Sequence, residues 1–226
     1  QLLESVKRVS YAIPQQGGNA TMSTMCLQAK DGQLNFVGLD GHVLAWDKID
    51  YDGEFELLIP KNTIDKLKTL GLTGEVRIRH SNAMAIFATE DFEICTRLVQ
   101  GEYYKYQNMF KELPLHTVIS RKELLDAMVR AKMCTAEKCP VKFEIAGSQL
   151  GLSIKDQTTD YHETVDLQED ISEELTIGFD ARLVIETLKA FDCDNVGISL
   201  QGPKMPMIVE AEDSDFKTIV LPVAIK

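Results

Sequence analysis

The sequence predicts an α+β protein built from two tandem copies of one domain, each with two helices packed on antiparallel strands. Three observations lead there. Segments recur in the same order at an offset near 116 to 122 residues. Within each copy, apolar spacing switches from helical to alternating and back. The 226 residues, 44% of them hydrophobic, suffice for two modest cores.

Each copy starts with a helix. Residues 2–9, "LLESVKRV", place Leu2, Leu3, Val6 and Val9 at helical spacing, and 124–131, "LLDAMVRA", does the same with Leu124, Leu125, Met128 and Val129. An apolar stretch with a turn follows, "LQAKDGQLNFVGL" at 27–39 and "FEIAGSQLGLSI" at 143–154. Next, a short strand runs into an amphipathic helix, in "LLIPKNTIDKLKTL" at 57–70 and "LTIGFDARLVIETLKAF" at 175–191. Pro60 suits the first turn of its helix, where a missing N–H costs nothing, and Asp180 suits the N-cap of the other. The strands "GEVRIR" and "DNVGISL" come after, with Val76 and Ile78 on one face of the first. Both copies close in hairpin-like pairs, "MAIFATEDFEICTRLV" and "MPMIVEAEDSDFKTIVLPV". The join falls around Leu113 to His116, giving domains 1–113 and 114–226.

Net charge is −11, which on its face argues against a nucleic-acid partner. Divided by element, the picture changes. The helical stretches 1–11, 60–70, 120–132 and 180–190 hold eleven basic and six acidic residues, so they carry about +5 and the rest about −16. A basic helical layer on an acidic body suits a protein that turns one side to a polyanion. No aromatic residues interleave with the bases of the helix interiors, so phosphate contact without base readout is the expected mode. The runs "DLQEDISEEL" and "EAEDSDF" read as solvated loops.

The five cysteines are scattered, with no C-x-x-C pair, and read as thiols in a reducing cytosol. There is no secretory signal and no apolar run near 18 residues. Asp40-Gly41-His42 would suggest a catalytic or metal-binding pair, yet no nucleophile motif accompanies it and the other histidines are only His80, His116 and His162. Asp-Gly between "LNFVGL" and "HVLAW" is instead a hairpin signal, because Gly accepts φ > 0 and Asp tolerates it. No cofactor, metal or catalytic residue is expected.

With these elements in place, the chain resembles the bacterial sliding clamp, the beta subunit of DNA polymerase III. "LDGHVLAW" resembles the family's T-D-G-H-R-L-A, "LVQGEYYKYQNMF" its L-V-x-G-x-F-P-D-Y segment, "LPVAIK" its C-terminal M-P-(M/V)-R-L, and "ISRKELLDAMVRAKMCTAEK" the start of its third domain. The resemblance implies the family's second domain at 1–113 and third at 114–226, with the first absent, which accounts for a start on helix without Met. It implies a non-catalytic processivity factor that closes head to tail, as a homodimer when complete, around double-stranded DNA in the bacterial cytoplasm. It also implies a groove between the two domains for linear motifs of the polymerase III alpha subunit, the clamp loader and repair proteins.

Carried over position by position, one wall of that groove uses Gly41, His42 and Leu44, with Leu39 and Val43 replacing the usual Thr and Arg, and Met22 on the preceding strand. Tyr104, Asn108 and Met109 come from the interdomain segment, where the family's Pro and Arg are replaced. The third domain adds Cys139 in place of an aromatic, Asp180, Leu183, and the tail Ile219, Val220, Leu221, Pro222, Val223, Ala224 and Ile225, with Ala224 replacing the common Arg. A Q-L-x-L-F motif would bury its Leu and Phe against Leu44, Leu183, Leu221 and Val223. For DNA, Gln16 matches a loop position beside the duplex, and Arg8, Lys66, Arg130 and Arg182 are the expected lining charges. The alternative is a duplicated β-rich adaptor that binds proteins and never DNA.

Overall fold

The computed structural model describes residues 1–14, 19–71, 74–134, 140–155 and 159–225. The chain divides into two compact units, Gln1–Met109 and Phe110–Lys226.

Unit 1 begins with α1 (Leu2–Val9), continued by a 3-10 turn at Ser10–Ala12. Four strands follow: β1 (Thr24–Lys30), β2 (Gln33–Leu39), β3 (Val43–Asp50) and β4 (Phe55–Pro60). Hydrogen bonding orders them β4-β1-β2-β3, all antiparallel. Helix α2 (Lys61–Leu70) follows β4 directly. Pro60 lies one residue before that helix, at the N-cap (φ −57°, ψ 143°), so it ends the strand and does not occupy the first turn. The strands β5 (Arg77–His80), β6 (Met84–Ala88) and β7 (Glu93–Arg97) form a separate antiparallel sheet. Val76, expected on the first of these, precedes it.

Val6 and Val9 of α1 and Ile64 and Leu67 of α2 are buried, as are Leu27, Leu34, Phe36 and Ile59 of the sheet. Gly38 permits the helix to sit so low: a Cβ there would lie 3.0 Å from the Val9 carbonyl oxygen. Two of the Asp-Gly pairs make hairpin turns, by different means. Asp31 and Gly32 both take positive φ (55° and 77°) in the two-residue β1–β2 turn, the conformation a type I′ turn needs. At the β2–β3 turn only Gly41 does (φ 86°), and Asp40 works through its side chain.

Unit 2 starts on a strand that the sequence reading did not foresee, β8 (Leu115–Ser120), which leads into α3 (Arg121–Met133). Ser120 caps α3, its hydroxyl accepting from the Glu123 N–H at 3.3 Å. Then come β9 (Val141–Lys155), β10 (Asp160–Phe179), α4 (Ala181–Lys189), β11 (Asn195–Leu200), β12 (Met207–Glu210) and β13 (Lys217–Val220). Within this unit the strand order is β13-β12-β11-β8-β10-β9. Positive φ at Gly147 (54°) and the Ser153–Glu144 side-chain hydrogen bond mark the expected turn inside β9. Leu124, Ala127, Met128 and Ala131 bury one face of α3, and Val129 on the opposite side is exposed. Phe143 and Phe179 meet edge to face, centroids 5.1 Å apart. Among the described residues no helix is long and apolar enough to cross a membrane.

Candidate functional site

In unit 1 the expected site residues gather on the β2–β3 turn and the segment that ends the unit. Asp40 Oδ1 accepts from the backbone N–H groups of His42 (2.9 Å) and Val43 (2.8 Å), and the Asp40 N–H donates to the Val43 carbonyl (3.1 Å). The carboxylate is therefore consumed by the turn, and His42 stands exposed beside it. Nothing couples the two side chains into a relay. Met22 lies in a turn just before β1, not on a strand, and its Cε would be 3.5 Å from a Cβ at position 41. Leu39 is half-buried, whereas Val43 and Leu44 are 2% exposed and belong to the core.

The closing segment is fastened by aromatic residues absent from the expected set. Tyr103 donates to the Val37 carbonyl (3.3 Å), and burial pushes its hydroxyl pKa well up. Tyr106, 2% exposed, donates to Gln28 Oε1 (2.9 Å) and meets Trp46 edge to face at 5.1 Å. Tyr104 packs on Tyr103 and is half-buried. The short 3-10 helix Tyr106–Met109 then leaves Asn108 and Met109 exposed.

In unit 2 the expected residues lie on the start of α4 and on the tail. Asp180 caps α4, accepting from the Arg182 N–H at 2.8 Å. Leu183 is 7% exposed. Ile219 and Val220 are in β13, buried, and pack as core. Beyond them the tail returns along the end of β10, where the Val223 N–H donates to the Gly178 carbonyl at 2.8 Å. Pro222 and Val223 are half-buried; Leu221, Ala224 and Ile225 are exposed. Seven large apolar side chains are exposed among the described residues, and three of them, Met109, Leu221 and Ile225, belong to the expected set. Exposed apolar side chains are ordinary singly, and in unit 2 Leu221 and Ile225 stand out on one short tail. Cys139 and Gln16 lie outside the described residues.

Of the expected lining charges, Arg8 pairs with buried Asp47 at 3.6 Å and Arg130 with Glu163, while Lys66 and Arg182 are exposed with no ion pair among the described residues. Lys68 Nζ donates to Ser10 Oγ at 2.7 Å, and burial, reinforced by Lys61, lowers its pKa. No group of three or more His, Cys, Asp or Glu placed to hold a metal occurs among the described residues.

A family model described as DNA polymerase III beta subunit, C-terminal domain, matches residues 111–224. Curated relatives similar to the whole chain include the beta sliding clamp of Vibrio cholerae, 25% identical over 96% of this chain and 62% of the relative. That of Buchnera aphidicola is 22% identical over 97% and 62%. Among solved structures, a putative DNA polymerase III beta subunit from Eubacterium rectale superposes with TM-score 0.92 at 26% identity, covering 98% of this chain and 62% of the other. The Pseudomonas aeruginosa sliding clamp gives 0.94 at 23%, covering 99% and 64%. The α+β architecture of paired helices on antiparallel sheet is thus the sliding-clamp fold, and the chain spans 62–64% of the length of these relatives.

Proposed function

Because the chain belongs to the DNA polymerase III beta-subunit family, matched over residues 111–224, we propose that it serves as two of the three domains of a sliding clamp. In this reading the complete protein is a non-catalytic processivity subunit that closes as a dimer around duplex DNA in the bacterial cytoplasm. Its basic helices exchange phosphates without reading bases, so that topology and not tight contact keeps it in place. Residues 1–113 and 114–226 act as the second and third domains.

We also propose that the apolar surface of the tail receives linear peptide motifs of the polymerase, the clamp loader and repair proteins. The observation that supports this most is the tail itself. It is fixed by one backbone hydrogen bond to Gly178 and holds Leu221 and Ile225 out to solvent. Met109 and His42 of unit 1, expected from the resemblance to contact the same peptide, are exposed within their own unit. In this reading Leu221, Val223 and Ile225 anchor the peptide, since Leu44 and Leu183 are buried. Burying two peptide side chains contributes roughly 3–6 kcal/mol, short of the about 8 kcal/mol of micromolar affinity even before association costs, so hydrogen bonds to the peptide backbone and further side-chain contacts are needed as well.

The test is a fluorescence titration with a labelled Q-L-x-L-F peptide. Leu221→Ala combined with deletion of 222–226 should abolish binding. Unchanged affinity would reject this surface as the peptide receptor.

A further inference from the structure

The two units repeat one ion pair. In unit 1, Arg8 of α1 reaches Asp47 of β3, Nη1 to Oδ2 at 3.6 Å. In unit 2, Arg130 of α3 makes a two-pronged contact with Glu163 of β10, Nε to Oε2 at 3.0 Å and Nη2 to Oε1. Arg8 and Arg130 hold the same place in the matched helices "LLESVKRV" and "LLDAMVRA". The carboxylates match as well. Asp47 faces Phe36 across β2–β3 and Glu163 faces Leu152 across β9–β10, and both matched pairs are 116 positions apart. Even the supporting hydroxyl is repeated from a different source. In unit 1 Ser5 helps to lower the Asp47 carboxyl pKa. Its counterpart in unit 2 is Ala127, and there the Tyr161 hydroxyl lies within hydrogen-bond distance of Glu163 and of the Ala127 carbonyl.

A guanidinium engaged with a carboxylate has its charge offset and part of its donor fork occupied. A phosphate must displace that carboxylate before it gains the contact. Exposure adds to this for Arg8, 27% exposed beside Asp47 at 3%, whereas Arg130 at 52% is withheld by its two-pronged contact with Glu163 alone. Lys66 and Arg182 have no such partner among the described residues.

We infer that Asp47 and Glu163 are positioning residues that hold Arg8 and Arg130 against the sheet, so that these arginines fasten the helices and leave phosphate contact to Lys66 and Arg182. This rests on the helical layer facing DNA. It reassigns two of the residues expected to line it.

The experiment measures anisotropy of a short fluorescein-labelled duplex of mixed sequence with the full chain, titrated across salt concentrations. Each phosphate contact adds about 0.9 to the slope of log K against log salt. Glu163→Gln, which removes charge and keeps shape, should free Arg130 and steepen the slope by up to about 0.9, and Asp47→Asn should act likewise through Arg8. Arg130→Gln should leave the slope unchanged, a result that a direct phosphate contact does not allow. Lys66→Ala with Arg182→Ala should flatten it by about 1.8. A flatter slope for Arg130→Gln, or none of the expected steepening for Glu163→Gln, overturns the inference. If the double Lys66, Arg182 variant is still flatter, the DNA-facing reading survives that failure. If the unaltered chain shows no salt-dependent duplex binding, both fall together.

Discussion

Gly178→Ala tests the docking of the tail. No positive φ obliges glycine at this position, so alanine fits the backbone, and only space is at issue. A Cβ there would stand 2.7 Å from Ile225 Cγ1 and 2.8 Å from the Val223 carbonyl oxygen, both closer than real Cβ contacts allow. Either the sheet absorbs the overlap, at about 1–3 kcal/mol, or the tail lifts away. Lifting loses the Val223–Gly178 hydrogen bond, about 1 kcal/mol, and about 1 kcal/mol more from the half-buried Val223 and its neighbours. Since the cheaper route prevails, the penalty is capped at what docking contributes, about 2 kcal/mol. Against it stands a gain of about 0.4–1 kcal/mol from the stiffer unfolded chain.

The net expectation is a loss of about 1–1.5 kcal/mol in the intact chain. The sign should reverse when 222–226 are deleted, because the obstacle is gone and only the gain remains. Urea denaturation of the four proteins in this double-mutant cycle measures it. The peptide titration should show up to about tenfold weaker binding for Gly178→Ala. Equal destabilisation in both backgrounds would refute the reasoning, since it would place the clash with something other than the tail.

Two further outcomes are expected. Asp40→Ala removes the oxygen that accepts both the His42 and Val43 N–H groups in the β2–β3 turn and should cost about 1–2 kcal/mol in a urea melt, while exposed His42→Ala should stay within about 0.5 kcal/mol. The two carboxylates of the paired arginines should respond oppositely to acid. Arg130 holds the Glu163 carboxyl below its ordinary range. Its contribution is therefore full above the unfolded value of about 4.3 and is lost as pH falls through the folded value; Glu163→Gln should flatten that limb of the urea midpoint against pH. Burial instead pushes the Asp47 carboxyl up, outweighing Ser5 and Arg8. The native state then carries a penalty above that raised value, relieved as pH falls through it, so Asp47→Asn should raise the midpoint at neutral pH and not in acid.

Much of the fold was legible because its signals are local. Helical spacing in "LLESVKRV" and "LLDAMVRA", alternation in the strands and the Asp180 cap each depend on residues within a few positions of one another. β8 escaped notice because "LHTVIS" abuts a strong helix pattern, which drew its boundary to Ser120. The expected site residues rest on motif resemblance, and Met109, Leu221 and Ile225 among them are exposed. Val43, Leu44, Ile219 and Val220 share those motifs but are buried, and a motif does not distinguish a wall from the packing behind it.

By itself the sequence determined the repeated segments, the helices, most of the strands and the turns, since periodicity and glycine or aspartate chemistry act over one or two turns of chain. It missed β8 and read residues 166–175, which lie in β10, as a solvated loop. Only the tertiary structure decided how each charge is used. Arg8 and Asp47, or Arg130 and Glu163, sit on different elements, and whether a guanidinium faces a carboxylate or solvent depends on how helix and sheet pack. The same holds for Gly178, whose missing side chain matters only because the tail returns to lie across it. Contacts between distant residues leave no local pattern, and the folded chain alone brings them within range of the short forces that give them effect.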